Sequence, residues 1–166
     1  MASITDPFTG EESFNATPAK VYSILSNMEC YAKAIPGLVS HEMLPTESGH
    51  RPMKVAIKPG LSFVSGTVKA TLRFASLNEP ADPGNFAPPF GSVILQIDSS
   101  GIGMTLNLQA DMNIVPEGDG RSKVQWSGRV TTYSGLVKLA PAALVRGAAD
   151  KVVKDGWNEL RKQIEA

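Results

Sequence analysis

Residues 103–130 read GMTLNLQADMNIVPEGDGRSKVQWSGRV. In the first half, Met104, Leu106, Leu108, Ala110, Met112 and Ile114 take every second position, and Asn107, Gln109, Asp111 and Asn113 lie between them. Side chains along a strand point to opposite faces in turn, so this pattern specifies a strand with one buried and one wet face. The run Pro116–Arg121, PEGDGR, is turn-forming. Val124, Trp126, Val130 and Thr132 then resume the alternation against Lys123, Gln125, Arg129 and Thr131. Two such strands across a short turn predict a long antiparallel hairpin.

The same period extends outward. Ser62–Ala75 puts Val64, Val68, Ala70, Leu72 and Phe74 on one side, and Ser65, Thr67, Lys69, Thr71 and Arg73 on the other. Shorter strands are predicted at Met53–Ile57, Ser92–Asp98, Gly37–Leu44 and Gly10–Ala16. Helical signals flank them. Thr17-Pro18 offers a capping side chain and then proline at the first helical position. Val21, Tyr22, Ile24 and Leu25 share the following face, and Asn27–Ala34 predicts a second short helix ended by Pro36-Gly37. Towards the C-terminus, Val145, Ala149, Val152, Val153, Trp157, Leu160 and Ile164 recur at helical spacing. Lys151, Lys154, Asp155, Glu159, Arg161 and Lys162 cover the opposite side. The order predicts an α+β fold, a curved antiparallel sheet wrapped around a long C-terminal helix, with two short helices after the first strand. That long helix is the only predicted element able to cover the sheet's apolar face.

The 166 residues suit one domain, 1–166. They are 42% hydrophobic and 19% charged, the latter below the roughly 25% of an average soluble domain. This composition excludes disorder. Sixteen basic residues balance sixteen acidic ones, which argues against nucleic-acid binding. Cys30 is the only cysteine, so neither an internal disulfide nor a thiolate cluster is available. His41 and His50 read as surface residues, since a metal site needs three or four converging ligands. No metal or cofactor is expected. The N-terminus MASITDPFTG lacks the pattern of a secretory signal. The apolar stretch from Gly135 to Ala149 is short and broken by Lys138, Pro141 and Arg146, unlike a membrane span. The expected location is cytoplasmic, with peripheral membrane contact left open.

Signals for catalysis are weak. There is no Gly-x-Ser-x-Gly elbow. Glu29 beside Cys30 disfavours a thiolate. Gly101-Ile102-Gly103 precedes a strand, whereas phosphate cradling needs a helix. A non-enzyme is expected. The main candidate is the inward apolar set Val55, Val68, Leu72, Phe74, Val93, Leu95, Met104, Leu106, Leu108, Trp126 and Val130, faced by Val145, Ala149, Val153 and Trp157. These residues either fill a dry core or line a pocket for a hydrophobic small molecule. Gly66, Ala70, Ala110, Gly128 and Ala149 are expected to point inward too, leaving volume that favours a pocket. Glu12 shares the side of Phe14 and Ala16; it either anchors a ligand's polar end, acts as a proton acceptor, or lies wet in a frayed strand. Two low-charge connections are candidate gates or partner contacts. One is the proline-rich segment 78–91 with Phe86 and Phe90, the other segment 135–147 with Leu136 and Leu139. Their alternatives are a surface insertion and the buried start of the last helix.

Four stretches carry a resemblance: Phe14–Leu25 (FNATPAKVYSIL), Tyr31–Gly37 (YAKAIPG), Lys58–Val68 (KPGLSFVSGTV) and Gly135–Ala140 (GLVKLA). With the element order, they resemble the CoxG family of carbon monoxide dehydrogenase subunits, within the START-like, birch-pollen-allergen-like (SRPBCC) superfamily, over roughly residues 8–164. Tyr22 departs from a position where that family often has tryptophan, and Gly156-Trp157 from one where paired aromatics are common. The chain also stops at Ala166, where some members continue into a membrane-reaching tail. The resemblance implies a helix-grip fold that encloses a lipid, quinone or similar molecule between sheet and last helix. It also implies a link to a molybdenum-containing carbon monoxide dehydrogenase, by maturation or at the membrane surface. Two alternatives stand beside this. One is an assembly or interaction protein for a molybdenum hydroxylase. The other is an enzyme acting on a hydrophobic substrate, which predicts Glu12, Tyr22 or Tyr133 converging inside.

Overall fold

The computed structural model describes residues 6–58, 66–80, 91–101, 103–135 and 141–166. In chain order these form β1 (Phe8–Phe14), α1 (Pro18–Leu25), α2 (Met28–Ala32), β2 (Leu38–Met43), β3 (Met53–Ile57), β4 (Val68–Asn78), β5 (Ser92–Gly101), β6 (Met104–Pro116), β7 (Ser122–Gly135) and α3 (Ala142–Ile164). The strands make one seven-stranded antiparallel sheet in the order β1-β7-β6-β5-β4-β3-β2. Strands β2 to β7 form a meander, and β1 returns to close it against β7. The predicted hairpin is there, with Ile114 opposite Val124 and Pro116 opposite Ser122.

Local chemistry sets the helix ends. The Thr17 hydroxyl accepts a hydrogen bond from the Lys20 amide at 3.2 Å, with Pro18 opening α1. The Asn27 side chain accepts from the Glu29 amide at 3.1 Å and starts α2, which ends at Ala32, two residues before its expected limit. After it, Gly37 turns the chain into β2 at φ +75°, where a Cβ would run into the Lys58 carbonyl. Only glycine takes that conformation readily.

Register shifts at Leu38/Ser40, Phe74/Ser76 and Asn107/Leu108 bend the sheet. The last residue of β4 paired with β3 is Leu72. Two residues on, the Phe74 amide donates instead to Nε2 of His50 at 3.1 Å. The imidazole also meets the Phe74 ring edge-on at 5.6 Å. His50 is therefore half-buried and structural, contrary to its reading as a surface residue, whereas His41 is exposed. His50→Ala strands the Phe74 amide. We expect a loss of about 1–3 kcal/mol in urea unfolding; an unchanged midpoint would show that water replaces the imidazole without cost.

The tightest packing lies at one end of the sheet. Phe14, Val21, Leu25, Met53, Val93, Ile114, Val124 and Ile164 are at most 1% exposed. Length alone predicts that the long helix covers the sheet by itself; it does not. Val21 and Leu25 of α1 and Met28 and Tyr31 of α2 are buried in the same cluster. Tyr31 fits there because its hydroxyl donates to the Leu25 carbonyl at 2.6 Å, and burial pushes its phenol far above the usual range. On α3, Trp157, Leu160 and Ile164 are buried as predicted. Val152 is 46% exposed, because its neighbour Val153 takes the inward position. Gly66, expected to point inward, is exposed.

Candidate functional site

The inner face of the sheet is legible row by row from its register. Leu72, Ile97, Leu108 and Val130 form one row across β4 to β7. Phe74, Leu95, Ala110, Gly128 and Phe8 form the next. Val93, Met112, Trp126 and Gly10 form a third. All fifteen expected lining residues fall within the described residues. Of these, Val55, Val68, Leu72, Phe74, Val93, Leu95, Met104, Val130, Val145 and Trp157 are buried, while Leu106, Leu108, Trp126, Ala149 and Val153 are half-buried.

The half-buried residues are not scattered. Val68, Met104, Val130 and Val145 form a small cluster at the N-terminal end of α3, separate from the main core around Trp157, Leu160 and Ile164. Between the two lie Ala149 and Val153, on the same helix face as Leu160 and Ile164 yet half-buried. Ile97, Leu106, Leu108 and Ala110 on the sheet are half-buried as well. A Cβ built on Gly128 meets nothing closer than the Gln109 carbonyl at 4.0 Å. The sheet and α3 thus share two separate buried clusters, and apolar side chains between them, packed against one cluster or the other, stay half-buried.

Aromatic rings stand at the main-core side of this half-buried stretch. Trp126 and Trp157 stand with ring centroids 6.2 Å apart, and Trp157 lies 6.1 Å from Phe14. The indole of Trp126 rests against the backbone of Gly10, where a Cβ would come within 2.6–2.9 Å of its Cζ2, Cε2 and Nε1. That nitrogen is buried and has no hydrogen-bond partner. A buried donor left unpaired costs about 1–3 kcal/mol.

Polar groups on the inner face are otherwise engaged with the chain itself. Glu12 is neither frayed nor free: it sits inside β1 opposite Val124 and pairs with the Arg161 guanidinium at 2.8 Å. Arg161 also donates to the Ser13 carbonyl and lies 4.5 Å over the Phe14 ring. Helical spacing alone puts it on the solvent side; its long stem carries the charge back to the sheet edge. Near the other end of α3, Arg146 lies 4.1 Å over the Phe8 ring and donates to the Asp6 carbonyl at 2.6 Å. Two arginine–phenylalanine clamps therefore fix α3 along β1. The Ser99 hydroxyl donates to the Leu106 carbonyl, and that of Ser122 to the Ala16 carbonyl at 2.6 Å.

The groups expected for catalysis do not converge. Glu12 lies opposite Val124 and Tyr133 opposite Leu106, and nine residues of strand put about 30 Å between those positions of β7. Tyr22, on α1, packs against the main core, and burial, aided by Glu79, raises its phenol above the ordinary value. Burial likewise pushes the Cys30 thiol up, against nearby Lys33. Among the described residues no three metal-ligating side chains cluster, and no helix is long and apolar enough to cross a membrane. Phe86, Phe90, Leu136 and Leu139 lie outside the described residues. A surface groove of about 710 Å³ between the α2–β2 turn and α3 sets Ala34, Ile35 and Pro36 against the charged Lys33, Asp155, Glu159, Arg161 and Lys162.

Comparison with solved structures shows the same architecture. A conserved protein from Geobacillus kaustophilus superposes with a TM-score of 0.76 at 19% identity, covering 96% of this chain and 95% of its own. A START superfamily protein from Mycobacterium smegmatis gives 0.67 at 14% identity, covering 95% and 96%. A STAR-related lipid transfer protein from Xanthomonas axonopodis gives 0.63 at 12% identity, covering 98% and 88%. At these identities the likeness establishes the helix-grip fold. No curated protein matches the sequence. The family model for the carbon monoxide dehydrogenase subunit CoxG matches residues 10–165, nearly the whole chain and all of its secondary-structure elements bar the first two residues of β1, so the protein belongs to the CoxG family.

Proposed function

We propose that this protein binds a hydrophobic small molecule, a lipid, quinone or similar, between the sheet and α3, and does so without catalysing a reaction. The observation that carries this reading is the stretch between the two buried clusters, where inward apolar side chains on both layers stay half-buried; we read it as the ligand's gap. The fold shared with a lipid transfer protein supports it. The separation of Glu12 from Tyr133, and the engagement of Glu12 by Arg161, support the non-enzymatic half. The family's description as a carbon monoxide dehydrogenase subunit supports a further part of the proposal, that such a carrier serves an oxidoreductase of that type; a cytoplasmic setting with exchange of cargo at the membrane surface completes the proposal. A second reading, an assembly protein for a molybdenum hydroxylase, draws on Leu144 and Val152, which stand 43% and 46% exposed on α3.

Both tryptophans of the chain border the gap, so their emission reports on it. Titration with 1-anilinonaphthalene-8-sulfonate is expected to quench tryptophan emission saturably at one probe per chain. Native mass spectrometry of gently purified protein is expected to show a co-purified adduct. A linear, unsaturable response together with an adduct-free mass would count against the proposal.

A further inference from the structure

We infer that the bound molecule carries a hydrogen-bond acceptor, a carbonyl or ether oxygen, which pairs with the indole N–H of Trp126. This rests on the binding reading above and names the chemistry of that same site. Three observations lead to it. First, the Trp126 Nε1 is a buried donor without an acceptor, whereas Glu12, Ser99 and Ser122 on the same sheet face all have partners within the chain. Buried donors are nearly always paired, so a lone one calls for a reason. Second, the ring is only half-buried, and two residues on, Gly128 leaves the inner face open. Third, glycine at position 10 is what lets the indole lie where it does, since any Cβ would collide with its nitrogen-bearing edge. On this inference a turn about the Cβ–Cγ bond takes that edge away from Gly10 to meet the ligand. The wall there is Ala110 and Gly128, which have no polar side-chain atoms of their own to offer. A donor and no acceptor on the lining selects an oxygen-bearing ligand over a pure hydrocarbon.

A matched pair of probes tests this: 2-tridecanone and 1-tridecene, equal in chain length and differing in the acceptor. Two measurements are made on the whole chain. In ¹H–¹⁵N spectra the two tryptophans give two indole signals. The Trp126 signal is assigned by its loss in Trp126→Phe or, should that variant not fold, by its proximity to the Gly10 α-protons. The ketone is expected to move that signal downfield and the alkene to leave it in place. By calorimetry the ketone is expected to bind about fivefold to tenfold more tightly, the scale of one net hydrogen bond, and Trp126→Phe to abolish that preference while still binding both. Equal affinities with an unmoved indole signal would overturn the inference and leave the apolar site standing. Failure of both probes to bind would overturn the site itself, and the inference with it.

Discussion

Phe14→Ala is expected to lower the free energy of unfolding by about 3–5 kcal/mol, the range for deleting a large buried ring. The ring is fully buried and is met by Trp157 at 6.1 Å and by the Arg161 guanidinium at 4.5 Å. Removing it opens a cavity at the junction of β1 and α3 and takes the packing surface from under a half-buried arginine that also holds Glu12. The counterpart clamp gives the control. Phe8 is half-buried beneath Arg146, and Phe8→Ala is expected to cost only about 1 kcal/mol, the scale of an exposed cation–π pair. Urea unfolding of the two variants measures both values. Near-ultraviolet dichroism reports whether Trp157 loses its fixed setting. Similar losses for the two would mean that α3 is held evenly along its length, against the burial pattern.

Gly128→Val is expected to act in the opposite sense on stability and on binding. Gly128 lies in the interior of β7, away from the positive-φ positions, and its Cβ direction is open to 4.0 Å. A glycine in a strand costs roughly 0.5–1 kcal/mol relative to alanine, and a β-branched residue suits the pleated surface. The variant should therefore melt at the same temperature or a few degrees higher. It also places two methyl groups in the gap opposite Ala110. Affinity for 1-anilinonaphthalene-8-sulfonate or 2-tridecanone should fall at least about tenfold, as expected when a ligand and a side chain compete for one space. A stabilised variant with undiminished binding would place the ligand elsewhere on the molecule.

What could be read from residues alone follows from where single-residue periodicity is informative. Strict alternation in Met104–Ile114 located both faces of β6 correctly, because the period of a strand is two and allows no ambiguity. The last helix was also found, but an amphipathic stripe is broad, so Val152 and Val153 could not be told apart until packing chose one. Arg161 was hidden for a related reason. Its Cα lies beside the buried stripe, and only the reach of its side chain, and the aromatic ring waiting on β1, bring the charge inward. The share of α2 in the core was missed because its anchor, Tyr31, depends on a carbonyl six residues back. Of the glycines expected to point inward, Gly128 falls in an inner row of the sheet opposite Ala110, whereas Gly66, chosen by the same argument, is exposed. Composition flags spare volume but does not place it.

The two arginine clamps bear on how the chain is made. Arg146 reaches back 140 residues to Asp6, Arg161 reaches 149 to Glu12, and Glu165 takes the Asn15 amide across 150. Contacts of such long range form late and slow folding. On the ribosome the strands can assemble as a meander in order of synthesis, but β1 must wait for β7, and the sheet for its helix. At about 5–20 residues per second, the apolar concave face is exposed for several seconds between the emergence of β4 and that of Arg161. In that interval the unpaired strand edges and the uncovered apolar face leave the chain open to aggregation.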